Sequence, residues 1–272
     1  MVFIGVSDKG SCHAAVIRVE IFQRVGYTEK GIKMEAHFGS LRSRKENSGK
    51  DESYGGAREV FTFLEKIRRR EKRPSTTKQI THTALILCAG ILMGVIGKYL
   101  DCTPGSELPY FVEYLDIGNF LGRCSIWIFL AVCISVYSST ALRAAINVFL
   151  FFLGMVSSYY LYSNFVAGFF PRSYAIIWFG LTMISPLLAF LCWYAKGEGV
   201  IAMTLSAGII AVLFSGTFTY GFVYFDLRSP LELLVLLGGF AVLRRPVKEM
   251  AVTAAAGVVF SMLLRVILSF GL

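Results

Sequence analysis

Long runs without a charged residue dominate the chain from residue 79 onward. A helix that crosses a hydrocarbon core of about 30 Å needs roughly 20 mostly apolar residues. Five runs meet this requirement, at 79–97, 124–142, 144–171, 173–195 and 199–225. The pattern therefore predicts a membrane-spanning helix in each of the five.

Two further apolar segments complete the expected bundle. The run 233–243 is too short to span alone and reaches a spanning length only as 229–243, which includes Glu232. The last run, 250–270, is interrupted only by Arg265. We expect an all-α integral membrane protein with a bundle of about seven transmembrane helices, or six if 229–243 is re-entrant or tilted.

Composition and charge support a membrane protein with a basic leader. The 272 residues are 55% hydrophobic with a mean hydropathy of +0.61, above the roughly 45–50% apolar share of soluble domains. Residues 1–80 hold 17 of the 27 Lys and Arg and 10 of the 18 Asp and Glu, so the net charge of +9 divides into +7 and +2. Basic residues confined to one tail favour a cytoplasmic leader over nucleic-acid binding.

The loops predict the orientation of the chain. With the N-terminus inside, the outer loop 101–122 carries four acids and no Lys or Arg. The inner loops receive the basic residues Arg143, Lys196, Arg244, Arg245 and Lys248. The positive-inside rule thus predicts a multi-pass protein of the cell membrane, with a cytoplasmic N-terminus and, for seven spans, an outer C-terminus.

The leader, residues 1–78, is expected to be largely disordered ahead of the bundle 79–272. One short amphipathic helix is predicted over 57–73, where Phe63, Leu64 and Ile67 share a face before a run of Arg and Lys. It either lies on the anionic headgroups of the inner leaflet or stays solvated. Residues 1–33 are either a disordered tail or lie upstream of a natural translation start at Met34.

Side chains for acid–base and metal chemistry are scarce. The three histidines are His13, His37 and His82, none of them inside the bundle beyond the mouth of the first span. This distribution argues against zinc proteases of the H-E-x-x-H kind and against His-ligated haem. We predict no catalytic residue, metal or cofactor. Cys102 and Cys124 fall on the same side of the membrane, either as a disulfide or, more simply, as free thiols.

Four charged residues lie near the outer ends of the predicted spans, namely Lys98, Arg123, Glu232 and Arg265. Ionisable groups at this depth are costly unless paired or hydrated, so they commonly face the interior of a bundle. Glu232 with Arg265 is the first pair expected. The charges form either an outward-facing pocket for an anionic or zwitterionic solute, or a structural ion pair with snorkelling side chains.

Aromatic and polar residues border the same level, namely Tyr159, Tyr160, Asn164 and Trp178. Tyr and Trp at this depth usually form an interfacial belt. Tyr159, Tyr160 and Tyr162 cannot all face lipid from one helix, so at least one is expected to face inward, where it would suit a small ligand. Together with the four charged residues, these are the candidate ligand-binding residues.

Small residues predict helix contacts deeper in the bundle. Gly90 and Gly94, and likewise Ala207 and Ala211, have the four-residue spacing that lets helices approach closely. Asn147 is expected to bond between helices. Pro186 is expected to kink the fourth span and to free a carbonyl group.

Several stretches resemble uncharacterised bacterial multi-pass membrane proteins grouped as domains of unknown function. They are 98–101, 147–155, 158–162, 168–174 and 192–196, within a region of likeness over about 80–270. This resemblance implies a bacterial cytoplasmic membrane and no particular activity. In size and helix number the bundle is also similar to the substrate-binding membrane subunits of energy-coupling-factor transporters, which have six spans and no long leader.

Two functions follow from these observations. The first is a component that binds or transports a small solute through an outward-facing pocket. The second is a non-enzymatic accessory subunit that assembles with another membrane protein, or with a second copy of itself, through its spans or its basic leader.

Overall fold

A computed structural model describes residues 62–69, 75–221 and 224–270, with side chains as far as residue 267. The residues before 62, which include Met34 and most of the predicted leader, lie outside the described segments. The helices are α1 (62–67), α2 (Thr76–Cys102), α3 (Tyr110–Tyr114), α4 (Ile117–Gly122), α5 (Cys124–Val136), α6 (Ala141–Phe165), α7 (Arg172–Tyr194), α8 (Gly199–Thr217), α9 (Pro230–Val242) and α10 (Val247–Phe270). A 3-10 turn (Gly105–Glu107) and a two-stranded antiparallel sheet of β1 (Phe218–Tyr220) and β2 (Phe225–Leu227) complete these segments.

Five helices, α2, α6, α7, α8 and α10, are long and apolar enough to cross a membrane. This confirms the predicted class, a helical membrane protein. The other two apolar helices, α5 and α9, have 13 residues each. At 1.5 Å per residue each is only about 20 Å long. The prediction of one continuous helix over 124–142 is therefore wrong, because α5 ends at Val136.

Polar residues explain why α5 stops early. The side chain of Thr140 caps α6 by accepting a hydrogen bond of 3.2 Å from the backbone N–H of Arg143. Ser and Thr favour such caps over helix interiors because they satisfy the free N–H groups of a first turn. The hydroxyl of Ser138 bonds back to the carbonyl of Ile134 at 2.7 Å. The uncharged stretch thus divides into the end of one helix and the start of the next.

The predicted fifth span, 199–225, is also too long. Helix α8 ends at Thr217, and the chain turns into the β1–β2 hairpin, in which Phe218 pairs with Leu227. The rings of Phe218 and Phe225 stack with their centroids 4.7 Å apart. Aromatic residues favour strands as well as membrane helices, so an uncharged run alone does not separate the two.

Two pairs of the long helices pack in a parallel orientation. Along α2 and α6, Gly90 meets Phe151, Gly94 meets Met155, and the end of α2 reaches Tyr159. Along α8 and α10, Gly257 meets Ala207, and Ser261 bonds to Tyr220 just after α8. In both pairs the contact positions advance together along the two chains, so the helices run in the same direction.

Small residues permit both contacts, as predicted. A Cβ on Gly90 or Gly94 would overlap the carbonyl oxygen of Phe151 or Met155, so the backbones of α2 and α6 touch directly. Ala207 and Ala211 on α8 are buried, and a Cβ on Gly257 of α10 would lie 3.2 Å from the Ala207 carbonyl oxygen. Close approach of this kind gives van der Waals contact between helices where lipid supplies no hydrophobic drive.

The short helices α5 and α9 pack side by side. Arg123 at the start of α5 forms an ion pair with Glu232 in the first turn of α9, so these helices also run parallel. Val132 and Val136 of α5 and Val235 and Leu236 of α9 belong to one buried core. Helix α5 is thus enclosed largely by protein, whereas α9 leaves one face exposed, with Leu234 at 63% and Leu237 at 54%.

Basic residues gather at one end of the bundle, which we call the basic end. Arg68 donates to the carbonyls of Trp193 at 2.7 Å and Val136 at 2.9 Å, and its guanidinium lies 4.3 Å from the Trp193 ring centroid. Arg245 donates to the carbonyls of Ala195 at 2.6 Å and Gly197 at 3.0 Å. Cations here bind the free carbonyls that helix C-termini present.

Helix α1 belongs to the basic end as well. Ile67 is buried against Ala141, Ala144 and Trp193, and its carbonyl accepts a hydrogen bond of 2.8 Å from the N–H of Glu198. The predicted amphipathic helix over 57–73 is thus described only at 62–69. Of its apolar face, Ile67 contacts the bundle, while Phe63 is exposed.

A chain of hydrogen-bonded polar side chains connects α2, the α5–α6 turn and α6 near the same end. Asn147 donates to the Ser138 hydroxyl at 3.2 Å and accepts from the Thr83 hydroxyl at 2.9 Å. Arg143 donates to the Thr83 hydroxyl at 2.8 Å. The prediction that Asn147 bonds between helices is therefore confirmed.

Candidate solute-binding site

A cavity of about 550 Å³ lies at the other end of the bundle, which we call the acidic end because it holds the loop 101–122. Helices α2, α6 and α7 form its walls, and residues of α4 and α5 close one side. The lining residues include Gly97, Lys98, Asp101, Leu121, Gly122, Trp127, Tyr159, Tyr160, Tyr174 and Trp178. The volume falls within the range of about 300–1,000 Å³ that is usual for small-molecule sites.

An ion pair forms the polar part of the lining. The ammonium of Lys98 lies 2.7 Å from Oδ2 of Asp101, one helical turn further along α2. The hydroxyl of Tyr159 donates to the same oxygen at 2.9 Å, and the ammonium lies 5.0 Å from the Tyr159 ring centroid. The Lys98 side chain is only 10% exposed, whereas that of Asp101 is 55% exposed. The wall thus carries a buried cation and a solvated anion.

Aromatic rings form most of the remaining wall. Tyr160 is buried, with its ring centroid 5.3 Å from that of Tyr159 and 5.7 Å from that of Phe170. Within the described segments, no protein group forms a hydrogen bond with the Tyr160 hydroxyl or with the indole N–H of Trp178. The indole N–H of Trp127 donates a hydrogen bond of 2.8 Å to the Leu121 carbonyl, which fixes the position of the ring. A tyrosine that faces inward was predicted, and Tyr160 fits that prediction.

Glycines leave the space open. A Cβ on Gly97 would first meet the Tyr159 ring at 4.0 Å, one on Gly118 would meet the Leu100 carbonyl oxygen at 3.8 Å, and one on Gly122 would meet nothing within 4 Å. Side chains at these positions would therefore extend into free volume rather than overlap the backbone. The cavity owes part of its size to the absence of side chains here.

Four of the eight predicted ligand-binding residues line this cavity, namely Lys98, Tyr159, Tyr160 and Trp178. Asn164 is exposed and lies outside the cavity lining. Arg123, Glu232 and Arg265 also lie outside the lining. The four charged residues thus share the acidic end of the bundle without forming one pocket.

The predicted pairing of Glu232 with Arg265 is wrong. Oε1 of Glu232 lies 3.1 Å from Nη1 of Arg123 instead. Arg265 stacks over the Tyr220 ring, with its guanidinium 4.7 Å from the ring centroid, and donates to the Tyr224 hydroxyl at 3.1 Å. The sequence places all three charges at similar depth, but only the packing of α5 against α9 decides which of them meet.

The sequence reasoning missed Asp101, Trp127 and Tyr174 as lining residues. Asp101 had a usable signal, since it follows Lys98 by three residues, the spacing at which opposite charges pair on one helix face. For Trp127 and Tyr174 the sequence contains no such signal apart from their position near the ends of their helices. Their place in the cavity depends on how α5 and α7 pack. Cys102 and Cys124, considered as a disulfide, are both free.

Across the segments that the structure describes, no three His, Cys, Asp or Glu side chains are grouped so that they could hold a metal ion. Comparison with known protein families, with curated proteins and with solved structures finds no match for this chain. The arrangement of its own side chains is therefore the basis for the functional argument.

Proposed function

We propose that the chain crosses the membrane seven times. Since α2 and α6 run in the same direction, the chain between them has to return across the bundle, and α5 is the helix that carries it back. Helix α9 does the same between α8 and α10. A 13-residue helix is an acceptable crossing because its backbone groups are hydrogen-bonded within the helix, and α5 is in addition enclosed by its neighbours.

We further propose that the basic end faces the cytoplasm. It carries Arg68, Arg143 and Arg245, together with Lys196, whose ammonium lies 4.9 Å from the Tyr137 ring centroid. The loop of the acidic end exposes Glu107, Glu113 and Asp116 and contains no Lys or Arg. The positive-inside rule then directs the cavity toward the outside and, with seven crossings, leaves the C-terminus outside.

Binding of a small solute in this outward-facing cavity is the function that the geometry supports best. The observation that carries it is Lys98, a buried ammonium in the wall of a 550 Å³ aromatic cavity. Ionisable groups within a membrane bundle are costly and commonly mark a solute or ion pathway. The protein is thus proposed as the binding or transport component for a solute that reaches the cell from outside.

The lining favours a zwitterion over a simple anion. Asp101 already neutralises Lys98, so the pair as a whole has no net charge. A solute with a carboxylate and an ammonium could meet both partners, while the faces of Tyr159, Tyr160 and Trp178 would attract its cationic part. The unpartnered Tyr160 hydroxyl and Trp178 N–H supply further hydrogen-bonding groups.

Thermal unfolding of the purified protein tests the proposal. A panel of α-amino acids, betaines and dicarboxylates is added to the wild type and to Lys98→Met and Trp178→Ala. A solute of the zwitterionic groups should raise the midpoint of the wild type, and both substitutions should remove that increase. Arg265→Leu is the control, since Arg265 lies outside the cavity, and it should keep the increase.

Two outcomes would contradict this function. One is an increase that persists in Lys98→Met, which would place the solute elsewhere. The other is a wild type that no solute in the panel stabilises, together with a membrane protein that copurifies in fixed stoichiometry. That second result would favour the accessory-subunit function.

A further inference from the structure

Glu232 is a buried carboxylate with only one of its oxygens paired. The residue is 0% exposed, Oε1 meets Arg123 at 3.1 Å, and Oε2 has no hydrogen-bond partner within the described segments. Arg123, in contrast, keeps 28% of its side chain exposed. Buried polar atoms are almost always satisfied, and an acceptor left without a donor is costly. An orphaned oxygen on a fully buried acid is therefore a place where a proton can bind.

The surroundings contain few other charges. From α8, Thr217 contributes a hydroxyl that donates to the backbone carbonyl of Glu232 at 3.0 Å. At the start of α5, Arg123 pairs with the carboxylate, and Cys124 is the titratable residue next to it in the chain. The segment that precedes α9 adds Asp226 and Arg228, both exposed, with the Arg228 N–H bonded to the Thr217 carbonyl at 3.0 Å. Arg123 is thus the one cation in this group that pairs with the carboxylate.

Arg123 connects this acid to the cavity. The two residues before it, Leu121 and Gly122, line the cavity, and so does Trp127 one turn later. Two hydrogen bonds hold the junction between α4 and α5. The backbone N–H of Arg123 donates to the Phe120 carbonyl at 3.2 Å, and the indole N–H of Trp127 donates to the Leu121 carbonyl. The α4–α5 junction therefore carries the cavity wall on one side and the ion-pair partner of Glu232 on the other.

We propose that Glu232 is a proton-binding site that controls the wall of the cavity. The carboxylate takes one proton from solution on Oε2, the attraction to Arg123 falls, and the charge of the pair changes from zero to +1. Arg123, already partly exposed, turns toward water, and the α4–α5 junction loses its ion-pair link to α9. The coupling to a solute rests on the proposed function, whereas proton binding at Glu232 does not.

Infrared difference spectroscopy tests the proton site directly. Acid titration of the purified protein in lipid should produce the carbonyl stretch of a protonated carboxyl group, and Glu232→Gln should lose that contribution. Arg123→Gln should produce the band already at neutral pH, since a buried acid without its cation stays neutral. Glu249→Gln is the matched control, because Glu249 also pairs with an arginine, Arg245, but is 46% exposed at the basic end.

Fluorine NMR tests the link to the cavity. The chain has three tryptophans, of which Trp127 and Trp178 line the cavity and Trp193 lies at the basic end. With 5-fluorotryptophan incorporated, the Trp127 resonance should shift on acidification in the wild type and stay fixed in Glu232→Gln. Trp193 is the internal reference for folding.

The outcomes separate this proposal from the proposed function. An acid-induced carboxyl band that is unchanged in Glu232→Gln, or a Trp127 shift that persists in this variant, would overturn the proton site or its link to the cavity. Loss of solute stabilisation in Lys98→Met with both proton signals intact would leave each proposal standing. Intact proton signals without any stabilising solute would contradict only the solute function.

Discussion

The hydroxyl of Ser185 donates a hydrogen bond of 2.8 Å to the carbonyl oxygen of Thr182. This carbonyl lies four residues before Pro186, which has no N–H to bond it. Both Ser185 and Thr182 are buried, so water is not the replacement donor. The carbonyl predicted to be freed by Pro186 is thus satisfied by the residue next to the proline.

We therefore expect Ser185→Ala to destabilise the bundle by about 1–3 kcal/mol, the cost of a buried acceptor without a donor. Pro186→Ala restores a backbone N–H at the same carbonyl. In the Pro186→Ala background, Ser185→Ala should cost less than half as much. Equilibrium unfolding of the four proteins in detergent gives the double-mutant cycle, and additive losses would show that the two residues do not share this carbonyl.

The close approach of α2 to α6 predicts a sharp contrast between two glycines. Gly90→Ala places a Cβ on the Phe151 carbonyl and should destabilise the protein by about 1–3 kcal/mol through overpacking. Gly97→Ala, two turns later on α2, meets only the Tyr159 ring at ordinary contact distance. It should be neutral or stabilising by up to about 1 kcal/mol, since alanine favours helices over glycine. Equal losses from unfolding measurements would contradict the direct backbone contact.

The success and the errors of the sequence interpretation have a common physical origin. Lipid favours apolar helices, so four of the five long helices, α2, α6, α7 and α8, were predictable from uncharged runs, and α10 was predictable from an apolar run that only Arg265 interrupts. The same rule predicted one helix over 124–142, which is too long. Ser and Thr are uncharged, so a helix cap such as Thr140 does not interrupt an uncharged run. The rule also extended the fifth span through the strand residues Phe218 and Phe225, which are as apolar as the helix before them.

Lateral placement was the part that the sequence did not supply. The depth of a residue in the membrane follows from its position along a span. Lys98, Tyr159 and Tyr160 were correctly predicted as lining residues because all three lie near the outer ends of their helices. Which neighbour a side chain meets depends on which helices touch. Arg123 pairs with Glu232 only because α5 and α9 pack side by side, and no residue spacing within either helix predicts that contact.

Arg68 anchors the segment before α2 to the basic end. Its guanidinium donates two hydrogen bonds to backbone carbonyls. A hydrogen bond from a charged group contributes about 1.5–3 kcal/mol to stability when it is buried, and less when it is partly exposed to water as here. Arg68→Ala should therefore speed hydrogen exchange of the amides in 62–69 by about tenfold or more. Arg69→Ala is the matched control, because Arg69 is exposed, and it should leave exchange unchanged. Similar acceleration in both variants would assign the effect to general loss of basic charge.

Cysteine labelling decides the number of crossings and the orientation together. In a cysteine-free background, single cysteines replace the exposed residues Glu107, Arg228 and Arg244. An impermeant thiol reagent should label positions 107 and 228 in intact cells, and position 244 only after the membrane is opened, because α9 crosses between 228 and 244. Labelling of 228 and 244 from the same face would make α9 re-entrant and leave six crossings. Labelling of 107 only after opening would invert the bundle and direct the Lys98 cavity toward the cytoplasm.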